Sequence, residues 1–220
     1  MSIPDRIRAY HGVLTEKEHH RYRSWEHCYR FFRSITPPGI SAARDNAALQ
    51  LGFYLARWGM YRGSSFLLNH TYTIHLRAID CLSAPELRPL WERDFGSQEN
   101  DCDFIPTLLD AVSAIRDAYE PFLPTDTLIT KVLLGTLGCL PACDKYFLVG
   151  FRSEGFSYSD LNRPFIERLL DFCRSNMAAL RNEQERIATA DGIRYPLMKL
   201  VDMYFWQIGY EADASDAVSD

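Results

Sequence analysis

The sequence predicts an all-α fold, a single compact domain of about eight or nine helices. Three observations carry this. Helix caps and stops recur along the chain, as at Thr125-Asp126, Asn162-Arg163-Pro164 and Gly63-Ser64-Ser65. Apolar residues repeat at spacings of three and four, as in Leu197, Leu200, Val201, Tyr204 and Ile208. Alternation with period two is rare, with His70–Leu76 the main ambiguous piece.

The elements follow in order. Thr15 and Glu18 read as a capping box opening a helix to about Ser34, ahead of Pro37-Pro38-Gly39. Ser41 caps a second helix through Tyr61, rich in apolar positions and therefore central. Gly63-Ser64-Ser65 ends it and starts a third, through about Leu82. A short helix spans Pro85 to Trp91. Asp101 or Asp103 opens the next, with Ile105, Leu108, Leu109, Val112, Ile115 and Tyr119. The apolar run after Pro124-Thr125-Asp126 fits a buried strand or a buried helix, and its capping residues favour helix. Pro141 begins a helix through about Phe151, and Pro164 one reaching Ile187. Pro196 opens the last. No Gly/Ser/Pro-rich linker divides the chain, so residues 1–210 form one domain. Residues 211–220, EADASDAVSD, form a disordered acidic tail.

Composition narrows the class. The chain has 220 residues, 47% hydrophobic and 24% charged, enough to bury a core without staples. The opening MSIPDRIRAYHG shows no signal peptide, and no run is apolar enough to span a membrane. The expectation is a soluble, cytoplasmic protein with no membrane partner. Its six cysteines read as reduced thiols. Cys139 and Cys143 resemble half a metal site without a second half, so no metal and no cofactor is expected. There is no nucleotide-binding glycine loop, no helical metal motif and no nucleophile elbow, which argues against kinases, zinc proteases and serine hydrolases.

Charge is uneven. Residues 1–63 hold ten Arg or Lys against five acids, a net of +5, which leaves −10 on the remainder of a chain totalling −5. Either the basic third docks on the acidic remainder, or it presents a basic face to an anionic partner such as nucleic acid. Helical spacing puts Tyr22, Trp25, Tyr29 and Phe32 on one face. His20, Arg23, His27 and Arg30 fall about 200° away. That second stripe can meet phosphate or carboxylate oxygens, and imidazoles among cations titrate low enough to act as bases. It equally fits a solvated face with Glu26 and Arg30 paired. Arg62, Gly63 and Ser64 form a turn into a helix start, where backbone N–H groups and a cation can hold a phosphate. The same residues fit a plain joint between helices. A small-molecule pocket lined by Tyr72, His75 and Arg77 is a further possibility.

Three resemblances add to this. Arg21 and His27 have an Arg-x5-His spacing, which is similar to that of a superfamily of helical, often dimeric ribonucleases. It implies His27 as a catalytic residue, although Tyr22 stands where that family usually has a polar residue. The stretch TKVLLGTLGCLPACDKYFLVGFR resembles the catalytic segment of the helix-hairpin-helix DNA glycosylases. The shared pattern is a helix ending near Gly, a Pro-containing turn, an Asp opening the next helix and a trailing Arg. The resemblance implies a catalytic Asp144 and a matching Arg152. The Gly-rich hairpin of that family is missing upstream, and Lys131 lies nearer Asp144 than that family's lysine would. The segments LGFYLARWGMYRGSSFLL and YPLMKLVDMYFWQIGY resemble bacterial all-helical proteins to which no activity attaches. The functional expectation is nucleic-acid binding or processing. The alternative is a helical protein–protein interaction or assembly module, including a homo-oligomer.

Overall fold

The computed structural model describes residues 1–17, 19–35 and 37–219. Among them there are twelve α-helices, short 3-10 turns and no strand. The all-α class is as expected, and the helix count is higher for three reasons. A first helix, α1 (Ile3–Glu16), is nucleated by Ser2-Ile3-Pro4-Asp5. The Ser2 hydroxyl accepts from the Asp5 N–H while the Asp5 carboxylate accepts from the Ser2 N–H, a capping box one turn from the chain start. Thr15 therefore sits in the last turn of α1 and caps nothing; Glu18, its expected partner, lies outside the described residues. The helix expected from Thr15 is α2 (Arg23–Ser34), entered through a turn.

The second reason is α3 (Pro37–Ala42), which contains Ser41, so that Ser41 does not cap α4 (Arg44–Arg57). Helix α4 stops short of Tyr61 because Gly59 takes φ +76°, a left-handed conformation open to glycine. Beyond it, 3-10 turns at Phe66–Asn69 and Tyr72–His75 precede α5 (Leu76–Leu82), where one continuous helix was expected. The short α6 (Arg88–Trp91) and α7 (Ile105–Ala118) follow. The ambiguous apolar run is a helix, α8 (Asp126–Thr136), with the Thr125 hydroxyl accepting from the Leu128 N–H.

The next helix, α9 (Lys145–Ser153), begins four residues later than Pro141. The third reason is a break at Asn176 that divides the long helix expected from Pro164. It separates α10 (Arg163–Ser175) from α11 (Met177–Asp191). The last helix is α12 (Leu197–Ser219). Of the expected unstructured tail 211–220, residues 211–219 continue α12 and residue 220 lies outside the described residues. Glu211 accepts from Arg6 and Gln207, and Asp213 accepts from Lys145 and Tyr146, which ties this stretch to the domain.

Helices α1, α9 and α11 pack on α12, while α2, α4 and α8 form the adjoining half of the core. The aromatic face of α2 is buried as expected. Trp25 and Phe32 are almost completely enclosed, and Trp25 stacks on Tyr29. No helix among the described residues is long and apolar enough to cross a membrane.

Candidate functional site around Asp144

Helix α8 is buried along nearly its whole length, and Lys131 is the one charge in it after Asp126. Burial pulls the Lys131 ammonium below its usual range, and the neighbouring Asp144 pulls it back up. Its Nζ donates to the Trp58 carbonyl at 3.1 Å and lies 5.6 Å from the Trp58 ring centroid. It stands 3.4 Å from Asp144 Oδ2.

Asp144 is held there by a pinned turn. Gly138 turns the chain at φ +69°, against Pro196, where a side chain would collide. The Thr130 hydroxyl accepts from the Cys143 N–H at 2.9 Å, Thr127 donates to the Cys143 carbonyl, and Asp202 accepts from the Ala142 N–H. Asp144 is then the N-cap of α9: one oxygen accepts from the Phe147 N–H at 3.2 Å while the other faces Lys131. Three residues after Pro141, Asp144 thus precedes the helix and does not sit inside its first turn. Cys139 and Cys143 are buried in the turn, and burial pushes both thiols up, Cys139 to about 12.

A cleft of about 380 Å3 opens over this pair. Its charged lining is Arg21, Arg62, Lys131 and Lys145 against Asp144 alone, and its flat walls are Trp58, Tyr146 and Trp206. Behind it lies a chamber of about 10 Å3 that Lys131 and Asp144 share with Lys199, Asp202, Trp58 and Trp206. That is room for one water molecule at most. Lys199 Nζ donates to Asp202 at 2.7 Å and to the Tyr10 hydroxyl at 3.2 Å. Burial pushes the Asp202 carboxyl up, and Lys199 counters it. Among the described residues, the indole N–H groups of Trp58 and Trp206 are both buried without a hydrogen-bond partner.

The structure separates the residues that the sequence grouped. The stripe on α2 is partly used up. Arg23 pairs with Glu26 at 3.0 Å and donates to the Leu14 carbonyl. Glu26 is buried, accepts from Tyr195, and makes no pair with Arg30. Arg30 donates to the Asp191 carbonyl at 2.9 Å and faces a different cleft. His27 is exposed and lines neither cleft. His20 lies in the turn before α2, where burial and then Arg21 lower its titration as expected.

Asp144 and the stripe therefore do not share a site. Arg21, the other half of the Arg-x5-His pair, lines the Asp144 cleft without His27. Arg62 lines it too, whereas Ser64 is exposed outside it, and Ser65 is the residue that caps the following turn. Arg152 sits exposed at the far end of α9, about 12 Å along the axis from Asp144. Tyr72, His75 and Arg77 are engaged separately: His75 is core, held between Tyr61 and Tyr119, Tyr72 donates to Asp45, and Arg77 donates to the Asp117 and Glu120 carbonyls. Sequence reading missed Trp58, Tyr146, Trp206, Lys199 and Asp202.

No protein family, curated protein or solved structure matches the chain.

Proposed function

We propose that the chain binds nucleic acid and that the Asp144 cleft receives one base drawn out of its strand. The observation that carries this is the lining itself, four cations and three aromatic rings around a single carboxylate. Arg21 and Arg62 make no ion pair with a carboxylate among the described residues, so their charge is available to phosphates. The flat walls of Trp58, Tyr146 and Trp206 match a planar ring. At about 380 Å3 the cleft lies within the span of small-ligand sites, roughly 300–1,000 Å3.

The chemistry that Asp144 offers at such a base is N-glycosidic hydrolysis, as the glycosylase resemblance implies. The carboxylate faces the positive charge that develops on the sugar as the C–N bond breaks. Water adds its oxygen to the anomeric carbon and gives one proton to Asp144, the base leaves with the bonding pair and takes a proton from solvent, and Asp144 then returns its proton to solvent.

The test is binding of labelled single-stranded and duplex DNA across a salt series. Arg21→Ala with Arg62→Ala should weaken binding and flatten the single-strand salt slope by about 1.4. Absence of binding at low salt, or an unchanged slope, sinks the reading. Asp144→Asn should keep affinity and abolish base release; base release that survives it removes the hydrolytic part.

One observation favours a second reading, an assembly module. Leu49 and Phe53 are about half exposed on one face of α4, one turn apart. Sedimentation over a concentration series decides it: self-association that Phe53→Asp abolishes supports the module, and a monomer throughout removes the homo-oligomer.

A further inference from the structure

A second cleft, of about 490 Å3, lies where the end of α2 meets residues 92–94 and 192–196. It is lined by Arg30, Arg33, Arg93 and Arg194 against Glu92 and Asp94. The state of each charge decides what the cleft can take. Arg93 is neutralised by Asp101 at 2.9 Å, and Arg194 by Glu185. Glu92 belongs to Arg88. Asp94 is consumed as a structural acceptor, taking the Leu197 N–H at 2.8 Å and the Gln184 amide at 2.9 Å, with Arg181 beside it.

Arg30 and Arg33 remain. Neither has a carboxylate partner among the described residues. Each is anchored through one nitrogen to a carbonyl at the C-terminal end of a helix: Arg30 to Asp191 at the end of α11, Arg33 to Trp91 at the end of α6. Arg30 and Arg33 stand one turn apart on the same face of α2, so the anchors hold two neighbouring guanidinium groups on one cleft and leave most of each donor fork unspent. Main-chain carbonyls fix an arginine without cancelling its charge. Two fixed, uncancelled guanidinium groups facing one cleft form a receptor for a tetrahedral oxyanion.

We propose that this cleft binds a phosphate group, gripped side by side by Arg30 and Arg33 of α2. The site is separate from the Asp144 cleft and stands or falls independently of the reading given there. The phosphate can belong to a free phosphate ester or to a nucleic-acid backbone, and the chemistry of the grip is the same.

The experiment titrates the full chain with inorganic phosphate and follows the thermal midpoint, against sodium chloride at matched ionic strength. A saturable rise with phosphate alone is expected. Arg30→Gln with Arg33→Gln should weaken the apparent affinity on the order of a hundredfold. Arg30→Lys with Arg33→Lys, which keeps charge and loses the forks, should fall between. The same variants are then tested on single-stranded DNA. Weakened DNA binding identifies the backbone as the source, and unchanged DNA binding identifies a free ester.

No phosphate-specific rise in the wild type overturns the proposal. So does an apparent affinity that is the same in all three proteins. Variants that lower the midpoint equally with and without phosphate would show the two arginines to be helix caps only.

Discussion

At the scale of single residues, the fold places two lysines and two aspartates inside an aromatic shell. Lys199 and Asp202 are nearly fully buried and pair at 2.7 Å, with Lys199 also over the rings of Tyr10, Trp25 and Trp58. Breaking such a pair leaves a charge without compensation. Asp202→Asn is expected to cost roughly 3–5 kcal/mol in urea denaturation. Adding Lys199→Met to it should restore much of that, because Asn still accepts from the Ala142 N–H and no charge is stranded. A double variant no more stable than the single one contradicts this account. His75 gives a pH dependence. Burial lowers it from 6.5 to about 4 in the folded protein, so between these values the unfolded chain binds the extra proton. Stability is therefore fully present above pH 6.5 and lost as pH falls towards 4, by roughly 3 kcal/mol. His75→Gln, which can still bond the two tyrosines, should remove that part of the acid slope; an identical slope rules out His75 as its source.

At the scale of elements, the position of Asp144 depends on how α9 crosses α12. The crossing is close because Gly150 and Gly209 face the opposite backbone. A Cβ on Gly150 would lie 1.9 Å from the Phe205 carbonyl oxygen, and one on Gly209 2.0 Å from that of Tyr146. Backbone cannot yield as a side chain tip does, so Gly150→Ala should cost at least about 1–3 kcal/mol and displace α9. Because α9 carries Asp144 and Tyr146, the DNA affinity that we propose for this cleft should fall with stability; a variant as stable as wild type would mean the helices separate freely.

The same crossing shows what a sequence can tell. A helix start near Asp144 was legible, but it was expected from Pro141 with Asp144 in the first turn, whereas Asp144 is the N-cap of a helix that begins at Lys145. The charges inside apolar runs, Lys131 in α8 and Lys199 and Asp202 in α12, also carried a signal, because such a charge needs a buried partner. Their partners were not legible. Arg21 and Arg62 come from two connections, Tyr146 from α9 and Trp206 from α12, and they meet only through packing. The error at Thr15 has a local cause: a Thr-x-x-Glu spacing is common, and Ser2-x-x-Asp5 with Pro4 was the box that formed. The break at Asn176 has neither Gly nor Pro to mark it.

At the scale of the whole molecule, the uneven charge has two fates. Among the ten basic residues of 1–63, Arg6, Arg8 and Arg44 reach across to Glu211, Glu183 and Asp80 in the acidic remainder, while Arg23 stays with Glu26. Docking of the basic third on the acidic remainder accounts for Arg6, Arg8 and Arg44. Arg21 and Arg62 at one cleft, and Arg30 and Arg33 at the other, are outside that ledger. The acidic end of α12 bears on the first of them. Asp213 accepts from Lys145 and from the Tyr146 hydroxyl, and both residues line the Asp144 cleft. A phosphate approaching that rim competes with Asp213 for Lys145. Asp213→Asn should therefore raise the affinity for single-stranded DNA roughly two- to fivefold at low salt, with the gain shrinking as salt screens the contact. Ending the chain after Ala212 should do the same and more, since it also removes Asp216 and Asp220. The control is Arg21→Ala with Arg62→Ala in the shortened chain. If the gain survives there, the tail acts on the field of the whole surface; if it disappears, the tail and the DNA meet at this cleft. Equal affinity of the shortened and full-length chains would show that Asp213 is only a fastening for α9 and that the rim is open as it stands.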